Sequence, residues 1–265
     1  MNPFKLRNVS LLAAALAALS IPAPFLARSP KAAPQPAQPR ATAAAPSSQL
    51  SAREQQLLTD FGNLARFHDA DLKLGPPAPG EDRVVFMGDS ITQIWDLKKS
   101  FPGKPYINRG ISGQTSPQML LRFRQDVIDL KPKVVIILAG TNDIAQNTGP
   151  MTLRQTEGDI VDMAQLARFN GIRVVLCSVT PSVRFGWHPQ VTDAASKIAA
   201  VDQWLKAYAA SHHYVYVNYY SALKDAAGGL PRKYSRDGVH PTAAGFAVMA
   251  PLAQAGIEKA LKKKN

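Results

Sequence analysis

The chain has 265 residues, 46% of them hydrophobic, and a formal net charge of +12. This size allows one catalytic-size domain with a substantial core. Five basic residues lie before residue 50, ahead of the first acid, Glu54, and without them 26 basic residues face 19 acidic ones, a surplus of +7. Because that surplus is spread along the chain, it does not indicate a nucleic-acid partner.

The first 27 residues have the charge order of a secretory signal. Lys5 and Arg7 precede an apolar run at residues 9–21, which two prolines then interrupt. The run is shorter than the ~20 residues of a bilayer span, and no clear small-x-small cleavage site follows it. We therefore expect residues 1–27 to be a signal peptide or an uncleaved N-terminal membrane anchor, and the protein to be exported, either periplasmic or secreted.

A change of composition follows at residues 28–49, which are rich in Ala, Pro, Gln and Ser and contain no acid. Such a segment lacks the apolar period of a folded element, so it is predicted to be a disordered linker. The folded domain is expected to cover residues 50–265. Its single cysteine, Cys177, cannot form an internal disulfide and lies in an apolar run, where a buried structural role is expected.

Helix and strand patterns alternate through this domain. A helical stretch is expected at 52–74, and further helices at 193–210 and 241–262. Ser116 followed by Pro117 predicts a helix N-cap with proline in the first helical position. Thr152 with Gln155 predicts a capping box at the start of the next helix, and Gly171 predicts the end of that helix. The candidate strands are residues 83–87, 106–108, 133–138, 173–177 and 214–217.

Continuously apolar strands, each followed by a helix, favour a parallel sheet that is covered on both faces. The sequence therefore predicts an α/β fold: a three-layer α/β/α sandwich around a central, mainly five-stranded parallel sheet. In such a sheet the ligand site lies beyond the carboxyl ends of the strands.

Small polar residues and glycines follow three of these strands. The exits read Gly88-Asp89-Ser90, then NRGISG at 108–113, then GTND at 140–143. Each one alone also fits turn and N-cap chemistry. Because the three exits should meet at one edge of the sheet, a functional site is the stronger interpretation.

A serine at such an exit can act as a nucleophile only if a base accepts the proton of its hydroxyl. His240 lies in SRDGVHPT, with Asp237 three residues before it, so that this carboxylate can accept the imidazole Nδ1 hydrogen while Nε2 faces Ser90. His188 lies in the loop at 181–190, where it can border a pocket. Structural or solvated positions are expected for His68, His212 and His213.

Four ordered blocks, GDSIT, ISGQT, GTND and DGVH, carry a resemblance to a known family. They are similar to the blocks of the GDSL, or SGNH, family of serine esterases and lipases, in which they stand at strand ends of a flavodoxin-like sheet. Ile91 stands where the family name has leucine, a packing position that leaves the chemistry unchanged.

The resemblance implies a role for each matching position. The nucleophile falls on Ser90, the acid and base on Asp237 and His240, and the oxyanion-hole groups on Ser90, Gly113 and Asn142. Gly110 is a rival for the glycine role, and Gly113 is preferred because the Gln-Thr pair follows it. Asp89 is expected to organise the loop. No metal and no organic cofactor is expected.

The expected activity is hydrolysis of esters of small acyl groups, acetyl above all, through an acyl-enzyme. The sequence has no G-x-S-x-G motif, no phosphate-binding loop and no dinucleotide fingerprint. It also has no long apolar lid, and its 181–190 loop is short, which favours small-molecule or polysaccharide esters. A lipase or thioesterase acting on longer chains, acyl transfer to another hydroxyl and a non-catalytic glycan-binding relative are the alternatives.

Overall fold

The computed structural model describes residues 50–263. The predicted signal or anchor at 1–27 and the predicted linker at 28–49 lie outside the described residues. Across residues 50–263, no helix combines the length and the apolar character that a membrane span requires.

Five parallel strands form one sheet in the order β2-β1-β3-β4-β5. The sequence pattern located all five strands to within two residues at each end. Parallel pairing joins each strand to its neighbours, with Gly88 of β1 opposite both Gly110 of β2 and Leu138 of β3. The strands are β1 Val84–Gly88, β2 Tyr106–Gly110, β3 Val134–Leu138, β4 Arg173–Cys177 and β5 Val215–Val217.

Helices cover both faces of the sheet, so the predicted three-layer α/β/α sandwich is confirmed. Alternate residues of β1 point to opposite faces: Val85 and Met87 pack with one set of helices, and Val84 and Phe86 with the other. The first set comprises α5 Ser116–Phe123, α7 Leu153–Phe169 and α8 Ala194–Ser211, and the second α4 Leu97–Ser100, α9 Tyr219–Leu223 and α10 Ala243–Lys262.

Two of the predicted helix signals are confirmed and one is shifted. Thr152 and Gln155 form the capping box of α7, and Gly171, with φ 73°, follows its C-cap. The N-cap of α5 is Thr115, which forms a capping box with Gln118, so the assignment of this role to Ser116 was wrong. The Ser116 hydroxyl instead contacts the carboxylates of two acids, Asp143 and Asp159.

The single helical stretch predicted for 52–74 was also wrong. The segment divides into α1 Ala52–Thr59, a short 3-10 turn and α2 His68–Leu74. The carboxylate of Asp60 accepts hydrogen bonds from the N–H groups of Leu64 and Ala65, at 2.8 and 3.1 Å, and Asn63 has a φ of 54°. A residue with a left-handed φ cannot continue a right-handed helix, so the helix ends here. The apolar periodicity of the sequence continues past this break, which explains the wrong prediction.

Candidate active site

Three strand ends place their polar residues around one cavity. One residue separates β1 from helix α3, Ser90–Gln93, and two residues separate β3 from α6, Thr141–Ile144. Asp89 caps α3, because its Oδ1 accepts a hydrogen bond from the N–H of Ile91 at 2.9 Å. The cap fixes the sharp turn that presents the Ser90 hydroxyl at the carboxyl edge of the sheet.

Ser90, His240 and Asp237 form one line of hydrogen bonds. The Oγ of Ser90 lies 2.9 Å from Nε2 of His240, and Nδ1 of His240 lies 2.7 Å from Oδ2 of Asp237. The contact joins the end of β1 to the loop before α10, 150 residues later. This arrangement gives the hydroxyl a base and gives the base an orienting carboxylate.

The carboxylate of Asp237 is strongly stabilised in its ionised form. Burial alone would raise its pKa, but hydrogen bonds from the His240 side chain and from the backbone N–H groups of His240 and Val239, with a smaller one from the Ser235 hydroxyl, hold the pKa well below its usual range. It therefore remains available to accept the Nδ1 hydrogen of His240 and to stabilise an imidazolium.

The structure distinguishes the two rival glycines. At Gly110, a Cβ would lie 2.1 Å from the backbone nitrogen of Gln93, and its own N–H donates to Oδ1 of Asn108 at 2.9 Å. Packing against α3 therefore explains this glycine. Gly113 lines the cavity with a φ of 75°, and within residues 50–263 its N–H has no hydrogen-bond acceptor.

Asn142 lines the same cavity, but its amide already has partners. Its Nδ2 donates to the carbonyl oxygen of Gln114 at 3.0 Å and to Oδ2 of Asp89 at 3.2 Å. Its Oδ1 accepts a hydrogen bond from Nδ2 of Asn147 at 2.8 Å, which fixes the orientation of the amide. An oxyanion at this position would therefore compete with Asp89 for one of the amide hydrogens.

Two buried acids flank these groups. Burial raises the pKa of Asp89 to about 6, although the hydrogen bond from the N–H of Ile91 opposes the shift. Burial likewise raises the pKa of Asp143 to about 6, against the hydrogen bonds from Ser116. Asp89 joins the exits of β1 and β3 by accepting from Nδ2 of Asn142, and Asp143 joins the exit of β3 to the start of α5 by accepting from the N–H of Ser116.

A fully buried arginine supports the site from below, and sequence reasoning missed it. Arg122 of α5 donates to the carbonyl oxygen of Gly88 at 3.1 Å, to Oε1 of Gln114 at 2.6 Å and to Oδ2 of Asp126 at 2.8 Å. It thus links β1, the strand just before the serine, to the loop that carries Gly113. No local pattern distinguishes it from an exposed helix arginine, because an i,i+4 pair with Asp126 also fits a solvated helix face and the contact with Gly88 spans 34 positions.

The cavity has a volume of about 310 Å³ and a partly aromatic rim. The ring of Trp187 lies 6.1 Å from that of His240, between centroids, and its indole N–H donates to Oδ1 of Asn147 at 2.8 Å. His188 also borders the cavity, as predicted. Sequence reasoning missed Arg53, Asn147 and Trp187, which complete its lining.

Other parts of the described chain offer no competing site. Two larger hollows, of about 610 and 380 Å³, lie beside His68 and His212 and contain no serine–histidine pair. Cys177 is buried, and burial raises its pKa to about 12, so its thiol is structural as predicted. Among residues 50–263, no group of three or more His, Cys, Asp or Glu side chains is placed to hold a metal.

Comparison with known proteins identifies the family. The profile of the GDSL-like lipase/acylhydrolase family matches residues 86–248. Esterase TesA of Pseudomonas aeruginosa is 30% identical over 171 residues, which cover 62% of this chain and 78% of TesA. The lipoprotein YqeF of Bacillus subtilis is 32% identical over 39% of this chain, and the match spans about half, 51%, of that relative.

Solved structures agree with this assignment. A GDSL-like lipase from Bacteroides thetaiotaomicron is 44% identical, with a TM-score of 0.74 over 76% of this chain and 100% of that one. An acetyl xylan esterase from Geobacillus stearothermophilus shares the fold at 21% identity, with a TM-score of 0.56 over 67% of this chain and 94% of that one. The chain belongs to the GDSL-like lipase/acylhydrolase family and is a carboxylic ester hydrolase.

Proposed function

We propose that the protein hydrolyses esters of small acyl groups, acetyl above all, through an acyl-enzyme formed on Ser90. The observation that carries the proposal is the hydrogen-bonded line from Ser90 through His240 to Asp237 at the edge of an open cavity. His240 takes the Ser90 proton as Oγ attacks the ester carbonyl, and Asp237 stabilises the resulting imidazolium. His240 then protonates the leaving alcohol, and water attacks the acyl-enzyme with His240 as its base.

Three donors are available for the negative oxygen of the tetrahedral intermediate. The N–H groups of Ser90 and Gly113 have no acceptor within residues 50–263. The Asn142 amide supplies the third by giving up or sharing its longer bond, the 3.2 Å contact with Asp89. One such donor is typically worth about 3 kcal/mol of transition-state stabilisation.

Two observations favour a small acyl group on a carbohydrate. The cavity is open to solvent and has no aliphatic side chain in its described lining, which leaves little wall for a long acyl chain. The partly exposed indole of Trp187 lies beside His240, and a sugar ring can pack its apolar face on such a surface. The acetyl xylan esterase with the same fold provides a precedent for acetyl chemistry on this scaffold.

The test is covalent labelling followed by turnover. A fluorophosphonate probe should modify Ser90, and the Ser90→Ala variant should neither react nor hydrolyse p-nitrophenyl acetate above background. Ser112→Ala is the matched control, because Ser112 lines the same cavity without contacting the histidine, and it should still be labelled. Unlabelled wild-type protein that binds acetylated oligosaccharides without turnover would support the glycan-binding alternative, and labelling at Ser112 would contradict the nucleophile assignment.

A further inference from the structure

Arg53 is a cation without a partner at the rim of the catalytic cavity. The second residue of α1, it lines this cavity together with Ser90, Gly113 and Asn142. Across residues 50–263, its guanidinium makes no hydrogen bond and no ion pair. The adjacent acid, Glu54, is engaged elsewhere, because its Oε2 accepts hydrogen bonds from the N–H and the hydroxyl of Ser51, both at 2.7 Å.

The guanidinium lies directly against Gly113. A Cβ at Gly113 would lie 2.7 Å from Nη2 and 3.0 Å from Nη1 of Arg53, closer than real Cβ atoms approach other groups. The absent side chain thus leaves the space that the guanidinium occupies. Since the Gly113 N–H is a proposed oxyanion donor, Arg53 lies next to the position of the substrate carbonyl.

Folded structure anchors the segment that follows the helix of this arginine. The carbonyl oxygen of Gly62, shortly after α1, accepts a hydrogen bond from Nε2 of Gln114 at 2.9 Å. The neighbouring carbonyl of Phe61 accepts one from Nε2 of Gln118 at 2.8 Å. These bonds fasten the segment after α1 to the loop that carries Gly113, so Arg53 approaches the cavity from an anchored element.

Arg53 carries the permanent positive charge in the cavity's described lining, and no carboxylate belongs to that lining. A neutral ester would leave the guanidinium paired only with water. A carboxylate, by contrast, presents two coplanar oxygens to the guanidinium fork, in the geometry that arginine recognises best.

We propose that Arg53 binds a carboxylate carried by the ester substrate, close to the scissile carbonyl. The inference rests on the proposed function, because it assumes that the ester lies between Ser90 and Gly113. A single guanidinium neutralises the one charge of a carboxylate, whereas a phosphate monoester carries about −1.5 to −2 and would remain partly uncompensated. The carboxylate can belong to the acyl group, as in a dicarboxylic half-ester, or to the alcohol, as in a uronic acid.

The experiment compares matched neutral and anionic esters in two arms. The acyl arm uses p-nitrophenyl hydrogen glutarate against p-nitrophenyl valerate, and the alcohol arm 4-acetoxybenzoate against methyl 4-acetoxybenzoate. The measured quantity is the ratio of kcat/KM for the anionic ester to that for the neutral ester. Arg154→Gln is the control for Arg53→Gln, because Arg154 is also the exposed second residue of a helix, α7, and lies outside the cavity lining.

In Arg53→Gln we expect the ratio to fall by about tenfold or more in one arm, since a charge-assisted hydrogen-bonded pair is lost. The arm that responds identifies the side of the ester that carries the carboxylate, and Arg154→Gln should keep the wild-type ratio. Unchanged ratios in both arms, or equal losses on the anionic and neutral esters, would overturn the proposal.

A binding measurement separates this inference from the proposed function. Calorimetry of both anionic esters with Ser90→Ala requires no turnover, and adding Arg53→Gln to that variant should weaken the binding of at least one of them by about tenfold. If wild-type protein hydrolyses no ester but this difference in binding is found, the proposed function fails and the carboxylate site stands. If esters are hydrolysed and the difference is absent, the carboxylate site fails alone.

Discussion

The Nδ2 of Asn147 lies 2.8 Å from the Oδ1 of Asn142 and donates a hydrogen bond to it. The same nitrogen donates to the carbonyl oxygen of Gly113 at 3.1 Å, and Oδ1 of Asn147 accepts from the indole of Trp187 at 2.8 Å. One side chain thus holds both the amide and the loop that are proposed to receive the oxyanion. We infer that Asn147 is a positioning residue for them.

Asn147→Ala should lower kcat on p-nitrophenyl acetate by about 10-fold or more, the size of effect found when an outer hydrogen-bond partner of a site is removed. KM should change little, because the loss acts on the transition state. Asn170→Ala, at the C-cap of α7 and away from the cavity, controls for the loss of an asparagine. A rise in KM with kcat unchanged would mean that Asn147 contacts substrate instead.

Asn142→Ala should cost more than Asn147→Ala, because it removes the proposed donor itself. We expect kcat to fall by roughly 100-fold or more, with a modest change in KM. Its Nδ2 also bonds the Gln114 carbonyl, so thermal unfolding must be measured to show that the loop survives. If the loss appears only in KM, Asn142 binds the ground-state substrate and is not an oxyanion donor.

A buried acid on α8 makes stability depend on pH. Asp202 accepts a hydrogen bond from the N–H of Val179 at 2.7 Å through Oδ1, while its Oδ2 has no partner among residues 50–263. Burial raises its pKa from 3.8 to about 8, against the effect of the Val179 hydrogen bond. Between these values the folded state keeps a proton that the unfolded state has lost, so stability falls as pH rises through this window.

Asp202→Asn should remove that contribution, because an amide has no proton to release and can still accept from Val179. The free energy of unfolding of wild type minus that of the variant should decline from pH 5 to 8, by at most about 1.4 kcal/mol per unit. The comparison cancels the contributions of Asp89 and Asp143, whose raised pKa values affect both proteins. Chemical denaturation of both proteins at four pH values measures this difference. Parallel plots of unfolding free energy against pH would contradict a raised pKa for Asp202.

Local patterns predicted the sheet and the central residues of the site. Apolar runs located β1, β3, β4 and β5, because well-buried strands leave a continuous signal, whereas β2 is half-buried and contains Asn108 and Arg109. Asp237 and His240 were identified because they lie three residues apart beside a glycine turn, a local arrangement that sequence spacing preserves. Residues whose roles follow from neighbours within a turn are therefore accessible to sequence reasoning.

Residues that depend on distant contacts and lie outside the four family blocks were not predicted. Arg53 meets Gly113 across 60 positions of the chain, and Trp187 meets Asn147 across 40. The break after α1 depends on one carboxylate, that of Asp60, and on the left-handed Asn63. Hydrogen bonds of this kind leave no periodic trace, because they involve single side chains and not a face of an element.

The acyl-chain preference follows from the shape of the cavity. It is open and holds about 310 Å³, and its described lining contains Trp187 but no aliphatic side chain. Methylenes beyond the first few should remain in water and gain little of the ~0.8 kcal/mol that burial of each one provides. We therefore expect kcat/KM on p-nitrophenyl esters to be highest from acetate to butyrate and to fall by octanoate.

The same panel should include acetylated xylan, pectin and peptidoglycan fragments, with acetate release measured against Ser90→Ala to subtract background hydrolysis. A polysaccharide substrate should give a higher kcat/KM than p-nitrophenyl acetate, because packing of the sugar on Trp187 adds contacts that the aryl ester lacks. Trp187→Ala should remove that advantage, although loss of its hydrogen bond to Asn147 will also lower the rate on both substrates. Activity that peaks at octanoate or longer would overturn the small-ester proposal in favour of a lipase or thioesterase, and would require the loop at 181–190 to move and form an apolar channel.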